Sequence, residues 1–90
     1  MELQGKIIKI EPSITGSGAN GTWHKQQFVI ETLDQFPKKV AFELWNDDVR
    51  SFEPRKVGHV VKVLFNVESR EYEEKWYTSC RAWKISVIGE

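Results

Sequence analysis

Lys39-Val-Ala-Phe-Glu-Leu-Trp45, then Gly58-His-Val-Val-Lys-Val-Leu-Phe-Asn-Val67, then Trp76-Tyr-Thr-Ser-Cys-Arg-Ala-Trp-Lys-Ile85 are the stretches whose reading decides the fold. In the first, Val40, Phe42 and Leu44 alternate with Lys39, Ala41, Glu43 and Trp45, the period of a strand with one buried face. The cleaner apolar set faces the core and leaves Trp45 on the opposite face. In the second, Val61, Val63, Phe65 and Val67 form an inward set, with Lys62, Leu64, Asn66, Glu68 and Arg70 outward. Between the two, Asn46-Asp47-Asp48 supplies short side chains that accept the free N–H groups of a helix start. Pro54 limits that helix to about two turns, and Arg55-Lys56-Val57-Gly58 turns the chain into the next strand.

Toward the N-terminus, Glu2 to Pro12 reads as a strand in which Leu3, Gly5 and Ile7 alternate before Ile8 and Ile10 shift the apolar set to the other parity. A parity switch near a glycine marks a bulged, strongly coiled strand. Ser13 to Thr22 has the composition of a flexible loop. Its glycines are not followed by Gly-Lys-Ser/Thr, and the next element is a strand, so a phosphate cradle is not expected. Trp23 to Leu33 is the second strand, with Phe28, Ile30 and Thr32 on its inner face, and Asp34-Gln-Phe-Pro37 is a turn. Lys38 to Trp45 is the third strand, Val60 to Arg70 the fourth and Trp76 to Val87 the fifth, with the acidic tip Glu71 to Lys75 joining the last two. Phe28, Phe42 and Phe65 are core by alternation.

Ninety residues make one domain, spanning 1–90, with room for a single modest core. Apolar residues at 40% and charged residues at 29% describe a globular chain. No run approaches the roughly 18 apolar residues of a membrane helix, and Met-Glu-Leu-Gln-Gly is not the start of a signal peptide; a cytoplasmic protein without membrane contact is expected. Cys80 is the sole cysteine, so no internal disulfide and no zinc set can be assembled, and its period-2 neighbours Thr78 and Ala82 make it a small core residue. No cofactor is implied. No Ser/His/Asp or Cys/His set and no carboxylate pair calls for acid–base chemistry, so an enzyme is not expected.

Five strands with one short helix between the third and fourth is the order of the OB-fold, an all-β, partly open barrel. The stretch from Lys39 to Ile85 resembles the OB domain of bacterial single-stranded DNA-binding proteins. Leu44-Trp45-Asn46 matches that family's strand ending in aromatic-Gly. Asp48 to Phe52 matches the short helix and Lys56-Val57-Gly58 the Lys-Gly turn. Val60 to Arg70 matches the long hairpin strand and Trp76-Tyr77-Thr78 the opening of the last strand. The whole chain is also similar to a small uncharacterised bacterial family built on this fold. The resemblance implies stacking of bases on Trp45 and on Tyr72, partway out on the hairpin. A further family aromatic falls on Lys39, a departure that replaces a stacking platform with a cation. The sequence also closes at Glu90 without the long linker and acidic tip of that family, so the resemblance implies nucleic-acid binding more than a hub role in replication.

Single-stranded nucleic acid is held by flat rings for the bases and cations for the backbone, each base–aromatic stack contributing roughly 1–3 kcal/mol. In an OB-fold the surface concerned is the outer face of the second and third strands, flanked by two loops. Trp45 is placed there by parity, although it could instead pack beneath the helix or against Trp83. Trp23 lies where the glycine-rich loop meets the second strand, and Tyr72 lies on the hairpin. Trp76 and Tyr77, adjacent on a strand, point to opposite faces. Lys25, Lys38, Lys39, Arg70, Lys75 and Arg81 are the cations on the relevant strands. Against them stand Glu31, Glu43, Glu68, Glu71, Glu73 and Glu74, and thirteen basic residues are balanced by thirteen acidic ones, which predicts weaker, salt-sensitive binding than a basic domain would show.

Two functions fit. The first is sequence-non-specific binding of single-stranded DNA, with RNA left open, by a homo-oligomer that stacks bases on Trp45, Trp23 and Tyr72. The second is a protein–protein interaction or assembly module that keeps the barrel without binding nucleic acid. Zero net charge and the acidic hairpin favour the second.

Overall fold

The computed structural model describes residues 1–19, 21–52 and 54–89. Within them lie β1 (Glu2–Ile10), β2 (Ile14–Gly18), β3 (Gly21–Thr32), β4 (Lys39–Trp45), α1 (Asp47–Phe52), β5 (Val60–Tyr72) and β6 (Lys75–Gly89). The sheet runs β1-β5-β6-β4-β3-β2, and β1 also pairs with β3. The five strands β1, β3, β4, β6 and β5 therefore form a closed cycle, in which β4 and β6 meet in parallel at Glu43 and Arg81 and every other pairing is antiparallel. This is the OB-fold.

Closure depends on β1 serving two partners. Its first half pairs with β5, from Glu2 opposite Leu64 to Lys6 opposite Val60. Its second half pairs with β3, from Gly5 opposite Thr32 to Ile10 opposite Phe28, with a bulge between Ile7 and Lys9. Gly5 takes part in both ladders and is buried. A Cβ there would lie 2.6 Å from the Glu31 carbonyl oxygen and 3.0 Å from Ile30 Cδ1, so only glycine lets the strands come this close. The bend anticipated beside this glycine is real, and the bulge at Ile8 increases the coiling.

The inward residues are those the alternation selects. Ile7, Phe28, Ile30, Phe42, Leu44, Val61, Val63, Phe65 and Ala82 fill the barrel, and Phe52 of α1 joins them from one end. Phe28 stacks on Phe42 at 5.4 Å and on Phe52 at 4.6 Å, while Phe65 meets Phe42 edge-on at 4.9 Å, geometries aromatic rings favour. Cys80 packs against this core as a partly buried residue.

Three expectations are corrected. There are six strands among the described residues instead of five, because β2 falls within the stretch read as a loop and forms an arm with β3, from Ile14 opposite Lys25 to Gly18 opposite Gly21. The β5–β6 hairpin is longer than expected: Tyr72 pairs with Lys75, leaving only Glu73 and Glu74 to turn. Val67, assigned to the inward set, is 45% exposed, because β5 leaves β1 at Leu64 and the strand beyond Phe65 projects past the barrel.

Replacing Gly5 with alanine should destabilise the fold by about 1–3 kcal/mol, the range for forcing a methyl into a packed site. Urea denaturation of the variant measures it, and an unchanged midpoint would mean the β1 junction can open to admit a side chain.

Candidate nucleic-acid interface

The outer face of β3 and β4 is read directly from their register. Lys25 lies opposite Trp45, Gln27 opposite Glu43, Val29 opposite Ala41 and Glu31 opposite Lys39. At the Trp45 end these residues form one network. The Trp23 and Trp45 rings meet at 5.9 Å with a 54° tilt. The Lys25 ammonium stands 5.3 Å from the centroid of the Trp45 ring, within cation–π reach. Trp45 Nε1 donates to Glu43 Oε2 at 3.3 Å, and Glu43 Oε1 is 3.8 Å from Lys25 Nζ. Both indoles are half-buried.

Two local features hold these rings in place. Asn46 adopts φ 52°, a left-handed conformation that glycine reaches freely and asparagine tolerates. That explains why asparagine can stand where the resembling family has glycine. Its backbone N–H donates to the His24 carbonyl at 2.9 Å, and its Oδ1 accepts from the His24 N–H at 3.1 Å. The end of β4 is thereby pinned to the start of β3. The second feature is Gly16 of β2, paired with Trp23. The indole of Trp23 lies across it so closely that a Cβ would collide with the ring.

The other wall is the projecting hairpin. Directly opposed residues share a face, so Glu68 with Ser79, Arg70 with Tyr77, and Tyr72 with Lys75 belong to one side. Glu71 with Trp76 and Ser69 with Thr78 belong to the other, the latter pair sharing a 2.9 Å hydrogen bond. An open groove of about 510 Å³ runs between Lys25, Glu43 and Trp45 on one side and Glu68, Ser69, Arg70, Tyr72, Tyr77 and Ser79 on the other, a size typical of ligand clefts. Tyr72 and Tyr77 are more than half exposed. Two cations and two carboxylates line it, so the groove is charge-balanced.

Of the residues singled out from sequence, Trp45, Lys25, Arg70 and Tyr72 line this groove, and Trp23 packs against Trp45 next to it. Arg81 is in register with Glu43 where β4 meets β6, and Lys75 is across from Tyr72 at the tip. Lys39 is on the same outer face but six residues from Trp45, about 20 Å along the strand. Lys38 just precedes β4, its backbone bonded to Thr32 at the neck of the turn. Tyr77, Ser69, Ser79, Glu43 and Glu68 are groove residues not selected from the sequence as ligand contacts. The period-2 relation of Tyr77 and Ser79 to Lys75 and Arg81 was the available signal. Trp83, a rival of Trp45 for exposure, is 51% exposed and is skipped in the ladder between Ala82 and Lys84. It lies beside α1 with Phe52 and Arg55, away from the groove.

Beneath this face, burial pushes the Cys80 thiol above its ordinary pKa and the Glu43 carboxylate adds to the shift. Among the described residues no group of three or more His, Cys, Asp or Glu side chains is placed to hold a metal, and no helix is long and apolar enough to cross a membrane.

An OB-fold with an aromatic groove on its outer face is the class that these features define. The chain belongs to the family described as Domain of unknown function (DUF3127), whose model matches residues 2–86. Among solved structures it is similar to the mitochondrial single-stranded DNA-binding protein Rim1 of S. cerevisiae, at 15% identity over 99% of this chain and 94% of that one, with a TM-score of 0.74. It is also similar to the N-terminal domain of PriB from Thermoanaerobacter tencongensis, described as dimeric, at 24% identity over 100% and 96% of the two chains and a TM-score of 0.68. The second single-stranded DNA-binding protein, SSBb, of Mycobacterium smegmatis matches at 17% identity over 98% and 84%, also with a TM-score of 0.68. At these identities the likeness establishes the fold. No curated protein matches the sequence.

The hairpin tip carries Glu73 at φ 51° and Glu74 at φ 65°, conformations that Asn-Gly satisfies at far lower cost. Changing Glu73 to Asn together with Glu74 to Gly should stabilise the protein by roughly 1–2 kcal/mol, measured as a raised denaturation midpoint. For Cys80, alkylation by iodoacetamide depends on the thiolate. The rate should rise at a higher pH in the folded protein than in the same chain unfolded in urea, and Glu43→Gln should move the folded profile part of the way back down. Coincident folded and unfolded profiles would contradict this.

Proposed function

We propose that this protein binds single-stranded nucleic acid, DNA in the first place, without sequence preference, in the groove between β3–β4 and the β5–β6 hairpin. The observation that carries the reading is the indole pair, Trp45 leaning on Trp23 at 5.9 Å, beside Lys25 and across the groove from Arg70, Tyr72 and Tyr77. A base is planar and stacks on any such ring, and its flanking phosphates need cations within a few ångströms. In this reading Trp45 is the central platform, Trp23 fixes its angle, and Tyr72 closes over the strand from the hairpin. Lys25 and Arg70 meet phosphates inside the groove, Arg81 and Lys75 meet them along the hairpin, and Lys38 and Lys39 meet a longer strand at the far end of β4. Dispersed cations and flat rings serve holding, not bond-breaking, so the role is binding without catalysis. The single-stranded DNA-binding proteins of yeast mitochondria and M. smegmatis share the fold, and the dimeric PriB domain supports assembly of more than one copy.

Glu43 and Glu68 facing the groove favour a second reading, an assembly module whose groove receives protein. Titration with oligo-dT at low salt, followed by tryptophan emission, separates the two. Binding should change the emission, and Trp45→Ala should weaken binding by roughly 1–3 kcal/mol with the fold retained. Constant emission at micromolar protein and excess oligonucleotide, together with a stable oligomer by light scattering, would favour the assembly module.

A further inference from the structure

We infer that Glu43 is a specificity-determining residue of the groove: it holds Lys25 across the Trp45 ring and releases both together only to a ligand that brings a phosphate alongside a base. The inference rests on the nucleic-acid reading and adds to it what the ligand must carry.

Glu43, Lys25 and Trp45 each contact the other two. Glu43 accepts from Trp45 Nε1 through one oxygen, at 3.3 Å, and draws Lys25 Nζ with the other, at 3.8 Å. Lys25 in turn stands over the indole, 5.3 Å from its centroid. Glu43 and Lys25 are both partly shielded, their side chains 20% and 36% exposed, so their attraction is less screened than that of a fully solvated pair. An ammonium over a ring occupies the face on which a base would stack. An ammonium held by a carboxylate is also a poorer phosphate ligand than a free one. A flat apolar molecule without charge can offer Lys25 nothing in exchange for Glu43, so it meets a covered ring. A polyanion without bases can draw Lys25 away but gains no stacking. A nucleotide strand does both, because phosphate takes the ammonium from Glu43 while the neighbouring base takes the vacated face. Glu68, the other carboxylate of the groove, lies on the opposite wall and has no such contact with Trp45 or Lys25 among the hydrogen bonds and ion pairs of the described residues.

Glu43→Gln tests this directly. The amide oxygen can still accept from Trp45 Nε1, and the charge that holds Lys25 is gone. Oligo-dT affinity at low salt should tighten by about two- to fivefold, the range an ion pair of this exposure contributes, and by more than in Glu68→Gln. In a Lys25→Met background the gain should vanish. Equal gains from the two glutamine variants, or a gain from Glu43→Gln that persists without Lys25, would reduce Glu43 to simple repulsion and overturn the inference. A second measurement needs no nucleic acid. Acrylamide quenching assigned to Trp45, by difference from Trp45→Phe, should increase in Glu43→Gln and in Lys25→Met. Unchanged quenching in both overturns the inference. Raised quenching with no oligo-dT binding by any variant upholds the mask over Trp45 and refutes the nucleic-acid reading, and with it the ligand requirement inferred here.

Discussion

β1 is hydrogen-bonded along its first half to β5 and along its second half to β3, and the geometry of the groove follows from that double pairing. A single strand can serve both sheets only if it coils sharply, and Gly5 together with the bulge at Ile8 permits the coil. Once the cycle is closed, β3 and β4 curve around Phe28 and Phe42, and their outer residues come to lie on one bent surface. Trp45 ends that surface because β4 stops there: Asn46 turns the chain through a left-handed residue into α1, and Phe52 folds back onto Phe28. A residue held from three directions in this way loses little further freedom when a ligand arrives, which favours binding.

The groove depends on short-range contact more than on field. Its two cations are matched by two carboxylates, and the chain as a whole carries no net formal charge. Long-range steering of a charged ligand would therefore be weak, and the proposed binding rests on contact with aromatic rings and local exchange of ion-pair partners. The hairpin contributes the second wall in an unusual mechanical setting. Beyond Leu64, β5 has no β1 partner, so the arm is a two-stranded ribbon held by its own ladder and by cross-strand pairs such as Arg70 with Tyr77. Isolated ribbons are marginal in water, and this one is anchored where Phe65 and Ala82 enter the core. The wall that carries Tyr72 is thus softer than the wall that carries Trp45.

Much of this was legible along the chain. Val40, Phe42 and Leu44 against Lys39, Ala41, Glu43 and Trp45 assigned the faces of β4 correctly, and the same reasoning found the inner faces of β3 and the barrel half of β5. It failed where burial ends before alternation does. Val67 continues the pattern of Val61, Val63 and Phe65, yet it stands past the rim of the barrel, a boundary set by where β1 stops pairing. It failed also at β2, where Ile14-Thr-Gly-Ser-Gly18 has almost no apolar side chain to alternate. The small residues that made the segment look like a loop are what allow the Trp23 ring to lie against it.

Local chain chemistry determined five of the six strands, their inner and outer faces within the barrel, the two-turn limit of the helix and the outward parity of Trp45, because alternation, capping and proline restraint act among neighbours in sequence. Tertiary structure alone decided that Trp45 meets Trp23, that Lys25 covers its ring while held by Glu43, and that Tyr72 and Tyr77 rather than Trp83 face it. Those partners stand 18 to 32 residues apart in the chain, and only the closing of the barrel, a property of all its strands at once, brings them together around one groove.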